Sequence, residues 1–199
     1  MSARALQAAL IVAVVVAAPS VAVRSREAAQ PSIEVLEARR TGQSVVVSYR
    51  IADLLPADVL ERIHSGIPLR FRHRVELLEK RPGLFVGDRV HARATLEARV
   101  AYDSLTQRYE LTRSIAIRPP TGGSSGEPEP VEQREVVDSE QEMQRFLSEV
   151  RELGLFDPLA VSEGSARLTL RIEVVLGRRW VLLVIPTTET VTTELELGS

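Results

Sequence analysis

The chain has 199 residues, no cysteine, few aromatics and a formal net charge of −2. That bounds it to one domain with tails around a Val, Leu, Ile and Ala core, and excludes disulfide scaffolds and thiol chemistry. Charge is uneven: residues 62–118 hold twelve bases and six acids, residues 119–199 seven bases and fifteen acids.

Met1–Gln7 carries one charge, Arg4, ahead of the apolar run Ala8–Ala18 and Pro19. The run has the length of a secretory h-region and falls short of the roughly 20 residues a membrane span needs. Ser20-Val21-Ala22 supplies the small residues of a cleavage site. Residues 1–22 therefore read as a signal peptide and 23–31 as a loose lead-in, with an uncleaved N-terminal anchor as the alternative. Both place the body outside the cytoplasm, periplasmic or otherwise extracytoplasmic.

Ser32–Arg39 and Gln43–Ile51 flank Thr41-Gly42 as a hairpin. In DLLPADVLERIHSG, Pro56 suits a helix start, Asp58 and Glu61 its first half, and Gly66 a left-handed stop. The two longest alternating runs follow. Leu69, Phe71, His73, Val75 and Leu77 share one parity, with Arg70, Arg72, Arg74 and Glu76 between them. Beyond Pro82-Gly83, Val90, Ala92, Ala94, Leu96, Ala98, Val100 and Tyr102 share one parity, with His91, Arg93, Thr95, Glu97 and Arg99 between. Period two predicts a long antiparallel hairpin with one dry and one wet face. Tyr102–Thr106 turns the chain, and Gln107–Ile117 returns as a strand.

The Pro- and Gly-rich stretch 119–130 reads as a flexible insertion. Ser139 to Glu142 has capping-box spacing, and Met143, Phe146, Leu147, Val150 and Leu153 share a helical face closed by Gly154. Arg167–Leu176 alternates, Gly177-Arg178-Arg179 turns, and Trp180–Ile185 suits a central strand ended by Pro186. The expected fold is mainly β with two helices (α+β). It is an antiparallel β-sandwich-like sheet, with a short helix at one end and the capped helix Ser139–Leu153 packed on it. About seven strands make a single domain over 32–186, and 187–199 is a tail or edge strand.

GIPLRFRHRVEL, a spacer ending GDR and then VAYDSLTQRYEL resemble an uncharacterised family of exported bacterial proteins, domain of unknown function 4390. The likeness is strongest over Gly66–Leu111 and reaches about Leu176. It implies a gene encoded beside a membrane sensor kinase and its regulator, and with that a role in envelope sensing, and it brings no catalytic residues.

Catalytic chemistry finds little footing. No serine lies in a Gly-x-Ser-x-Gly elbow, and Gly122–Gly126 sits between prolines rather than between strand and helix. His73 has core parity and His91 wet parity, so they point to opposite faces and hold no shared metal. His73 reads as a buried, hydrogen-bonded histidine. Asp103 and Thr106 read as a turn staple with Tyr109 packed nearby. The functional lead is an arginine patch: Arg70, Arg72 and Arg74 on one strand, Arg93 and Arg99 on its neighbour. The helix Ser139–Leu153, an acidic envelope or membrane protein, or anionic lipid or polysaccharide would neutralise it. Nucleic acid fits poorly, given so few aromatics to stack on bases. The reading is a non-catalytic envelope interaction module without cofactor or metal. The alternative is a binder of a small apolar or lipidic ligand between sheet layers.

Overall fold

The computed structural model describes residues 30–41, 44–81, 87–118, 129–156, 168–181 and 185–197. Its centre is the expected hairpin. β3 (Leu69–Glu79) and β4 (Arg89–Asp103) are antiparallel in a register from Leu69↔Val100 to Glu79↔Arg89. Phe71, His73, Val75 and Leu77 are buried while Arg70, Arg72 and Arg74 are exposed, as the alternation requires.

The other elements are β1 (Ser32–Thr41), β2 (Ser44–Ala52), α1 (Ala57–His64), β5 (Arg108–Arg118), β6 (Val131–Val137), α2 (Glu140–Ser148), β7 (Glu149–Phe156), β8 (Leu168–Val181) and β9 (Ile185–Leu197). One antiparallel sheet runs β6-β5-β4-β3-β8-β9, the other β1-β2-β7. The mainly β, α+β sandwich-like architecture thus holds. A single core joins both sheets and α2, including Val45 and Tyr49 from β2, Val75 from β3, Ala94 from β4, Ile172 from β8 and Leu147 from α2.

Pro56 caps α1 in an extended conformation. Gly66 ends it at φ +80, where its N–H reaches the Ile63 carbonyl and the Ile67 N–H that of Arg62. A side chain at Gly66 would be strained in this left-handed stop.

Four expectations need correction. First, α2 stops at Ser148, so Val150, Leu153 and Gly154 belong to β7 instead of the helix. The cap itself is as expected, with Ser139 Oγ accepting from the Glu142 N–H. β7 pairs Tyr49↔Val150 and Val47↔Leu153, so two residues, Arg151 and Glu152, oppose one, Ser48, across a bulge. The extra residue spaces core side chains by three, which imitates a helical face. Glu152 sits at φ +51 with its N–H donated to Ser48 Oγ at 3.0 Å. Deeply buried β2 thereby gains backbone partners on both sides.

Second, β6 was not expected, because six of its seven residues are exposed and it shows no alternation of burial. Third, Gly177-Arg178-Arg179 does not turn the chain: β8 runs through it to Val181, with a bulge between Val175 and Gly177. Of the expected central strand Trp180–Ile185, Trp180 and Val181 end β8 and pair with Pro186 and Ile185 of β9, and 182–184 lie outside the described residues. The residues after Pro186 are the edge strand β9, where a missing N–H is tolerated, and Leu197 joins the core. Fourth, β4 is bulged: Leu77 opposes Ala92 but Leu78 opposes Val90. The parity flips there. Val90, assigned to the core, is 40% exposed, and His91, assigned to the wet face, is buried with Nε2 2.9 Å from Glu79 Oε2. The signal peptide, the Gly42 turn position, and residues 119–128 of the insertion lie outside the described residues.

Tyr49 of β2 and His73 of β3 join the two sheets by a 2.9 Å hydrogen bond between the hydroxyl and Nδ1. Burial first, and the Arg113 guanidinium second, pull the His73 pKa down to about 4, and burial pushes Tyr49 up. An unfolded histidine titrates near 6.5, so between pH 6.5 and 4 the unfolded chain binds the proton the folded one refuses. The stability His73 confers is therefore present above pH 6.5 and lost as pH falls. The loss is about 2 kcal/mol by pH 5, above the range where most carboxylates protonate. Urea unfolding at pH 7 and pH 5 measures it. His73→Gln is expected to abolish most of that difference; an undiminished difference in the variant would refute the assignment.

Candidate functional site: an arginine-lined groove

Strand register turns the wet parity of β3 and β4 into rows across the sheet. Arg70 opposes Arg99, Arg72 opposes Glu97, Arg74 opposes Thr95 and Glu76 opposes Arg93. β5 extends the rows, since Thr112 opposes Arg99, Ser114 opposes Glu97, Ala116 opposes Thr95 and Arg118 opposes Arg93. β6 adds Arg134 opposite Thr112 and Glu132 opposite Ser114. All five expected arginines lie on this one face. Two others, Arg118 and Arg134, were missed. Arg118 follows from continuing the parity of β5, whereas Arg134 sits on the strand that lacks a pattern.

Small side chains make the floor of this face: Thr95, Ala101, Thr112, Ser114 and Ala116 line an open groove of about 1340 Å³. Arg72, Arg74, Arg93, Arg99, Arg118 and Arg134 line it together with Glu97, Glu110, Glu129, Glu132 and Glu135, while Arg70 lies on the same face beside Arg99 but outside the lining. The capped helix, one of the candidates for neutralising the arginines, packs elsewhere. Arg113 opposes Ala98 on the buried face, and from there its Nη2 donates to the Phe146 carbonyl and, at 2.9 Å, to the Glu149 carbonyl. Its guanidinium also lies 4.4 Å from the Phe146 ring centroid. Met143, Phe146 and Leu147 are buried in the core. α2 is therefore on the opposite side of the sheet from the groove.

Ion pairing on the groove face is unequal. Arg93 Nε donates to Glu76 Oε1 at 2.7 Å, and Arg171 Nη1 lies 3.9 Å from the same carboxylate, whose residue is only 7% exposed. Arg171 also donates to Glu194 at 2.7 Å, and Lys80 donates to Glu194 at 3.0 Å. Those two bonds hold the Glu194 carboxyl below the usual carboxylate range. By contrast Glu97 alone serves Arg70 at 3.7 Å, Arg72 at 3.5 Å and Arg99 at 3.5 Å. Charge-assisted N–H···O bonds are ordinarily about 2.7–2.9 Å, so none of the three is tightly held. Arg70 and Arg72 side chains are 62% exposed.

The remaining candidates are structural. Asp103 Oδ1 accepts from the Leu105 N–H at 2.9 Å, and Thr106 Oγ1 donates to Asp103 Oδ2 at 2.8 Å. The Thr106 hydroxyl and then the Leu105 amide hold the Asp103 carboxyl below its ordinary range. Tyr109 packs on Tyr102 with ring centroids 4.9 Å apart, and its hydroxyl is 2.8 Å from His64 Nε2. This is the turn staple read from the sequence. Among the described residues no group of three or more His, Asp or Glu side chains is arranged to hold a metal. None of their helices is long and apolar enough to cross a membrane.

A family model described as a domain of unknown function (DUF4390) matches residues 28–179, and the chain belongs to that family. No match appears among curated proteins or solved structures.

The shared carboxylate has a consequence for stability. Glu97→Gln leaves Arg70, Arg72 and Arg99 repelling one another, which costs on the order of 1 kcal/mol or less on a wet face. Urea unfolding is expected to show a clear loss near 10 mM salt that shrinks toward zero near 0.5 M, as the screening length shortens. A loss independent of salt would point to packing instead of charge.

Proposed function

We propose that this DUF4390 family member is a non-catalytic accessory module of the cell envelope that docks an acidic partner protein on its arginine-lined groove. The carrying observation is the trio Arg70, Arg72 and Arg99 gathered around one carboxylate, each contact loose, with Arg72 and Arg99 lining the open groove. Desolvating guanidiniums against a partner's carboxylates replaces those loose contacts with forked ones, which gives a protein partner both orientation and steering. The Met1–Ala22 pattern supports an extracytoplasmic setting, where acidic segments of membrane proteins or other exported proteins are the available partners.

The alternative, an apolar ligand between the layers, rested on the alanine-rich face of β4. Ala92, Ala94 and Ala98 are each no more than 2% exposed and share a cluster with Tyr49, Phe71, Met143 and Leu147. Nothing in that arrangement favours a ligand.

The test is affinity capture from envelope extract with the wild-type protein and an Arg72→Glu, Arg99→Glu double variant, after circular dichroism has shown both folded. A partner retained by the wild type, released by raising salt, and reduced about tenfold or more by the double variant is expected. Recovery of no partner, or equal recovery by both proteins, would sink the docking role.

A further inference from the structure

The register of the outer face carries the reading above one step further, to the shape and charge spacing of the segment that docks. Arg70, Arg99, Thr112 and Arg134 are successive partners across β3, β4, β5 and β6. They form one line perpendicular to the strands. Three strand spacings of about 4.8 Å make it about 14 Å long. The line itself contains no acid, but acids stand on both sides of it. Glu110 lies in the adjoining row with Ala101 and Val136, while Glu97 and Glu132 lie in the other with Arg72 and Ser114. Arg134 is held by Glu132 at 3.0 Å with its side chain 77% exposed, so four guanidiniums of the two rows share two carboxylates.

This banding selects among occupants. A chain of uniform negative charge running along the strands would cross Glu97 and Glu110 as well as the arginines. An anionic bilayer surface is broad and cannot follow the groove down to the Thr112 and Ser114 floor. An extended peptide laid across the strands meets neither obstacle. Its same-side residues recur about every 6.8 Å, so three alternate residues span about 14 Å, the length of the arginine line.

We propose that the groove, together with Arg70 beside it on β3, receives an extended acidic segment of a partner protein, crossing the strands so that three alternate carboxylates meet Arg70, Arg99 and Arg134. The Thr112 hydroxyl lies between the last two and donates to the middle or last carboxylate. Carboxylate and guanidinium match as planar forks, a geometry that a lysine ammonium does not supply. The assignment rests on the docking reading and gives Arg134 and Thr112 recognition roles that the hairpin alone does not.

Fluorescence anisotropy with the purified full chain tests it. The probe is a labelled Ser/Thr peptide bearing Glu at three alternate positions. Controls are the same composition with the three Glu contiguous, phosphatidylglycerol vesicles, and a sulfated polysaccharide. Saturable binding of the alternate peptide is expected, with Arg99→Gln and Arg134→Gln each weakening it about tenfold or more and Arg118→Gln about twofold at most. Arg99→Lys, which keeps the charge but loses the fork, is expected to fall between wild type and Arg99→Gln. No binding of the alternate peptide, equally good binding of the contiguous one, or equal losses at Arg118 and Arg134 would overturn the crossing geometry. Vesicles or polysaccharide binding as tightly as the peptide would overturn it in favour of a generic polyanion site. Any of these leaves the docking role standing if the captured partner still depends on Arg72 and Arg99. Failure of the capture experiment removes both.

Discussion

The register between β3 and β4 is the constraint on which the molecule depends. A slip of one residue would send every aliphatic side chain of a strand to water and every guanidinium to the core. The pairing Leu69↔Val100 through Leu77↔Ala92 forbids that, because both faces are committed at once. Inside, β4 offers alanine at three core positions, and α2 and β7 rest against that strand. Outside, the same small-residue economy on β4 and β5 leaves a concave floor instead of a flat face. One strand thus shapes both the core and the groove.

The interior adds a polar element to this hydrophobic frame. Arg113 reaches inward from β5 to the last carbonyls of α2, satisfying acceptors that a helix end leaves open. Burial lowers its pKa, yet the two carbonyls and the Phe146 ring give the charge a place to rest. Its field is felt at His73, the only described residue with a buried side-chain atom lacking a hydrogen-bond partner, Nε2. The helix stop, the intersheet bond and the neutral histidine are therefore one connected arrangement.

How much of this was legible depended on where the period of the chain stayed intact. β3, most of β4, α1 and the Asp103 turn follow from alternation, from a helix start and stop, and from turn chemistry. What failed did so at bulges. An added residue near Val90–Ala92 reversed the faces of Val90 and His91, and another between Val150 and Leu153 passed for helical spacing. A third, before Gly177, made a continuing strand look like a turn. β6 failed for a different reason. Its exposed residues bury almost nothing, so no hydrophobic pattern marks it, and Arg134 was invisible along with it. Five arginines of this face were readable because their strands carry the core on the reverse side.

The wet face is divided in the way it uses its charges. Toward β8 and β9, Glu76, Arg171, Glu194 and Lys80 are joined by contacts of 2.7–3.0 Å plus the longer Arg171–Glu76 approach, and Arg171 also reaches Asp88 at 3.3 Å. These groups fasten the edge strand β9 and the end of the β3–β4 hairpin to the sheet. Around Glu97, three guanidiniums share one carboxylate and their contacts lengthen to 3.5–3.7 Å, while on β6 Arg134 keeps Glu132 at 3.0 Å. Like charges directly opposed across strands, as Arg70 and Arg99 are, oppose pairing by a few tenths of a kcal/mol or more. A purely structural face would have resolved that opposition as its other half does. Its persistence on the open side of the sheet, over a floor of small residues, is the observation on which the proposed docking of an acidic partner rests.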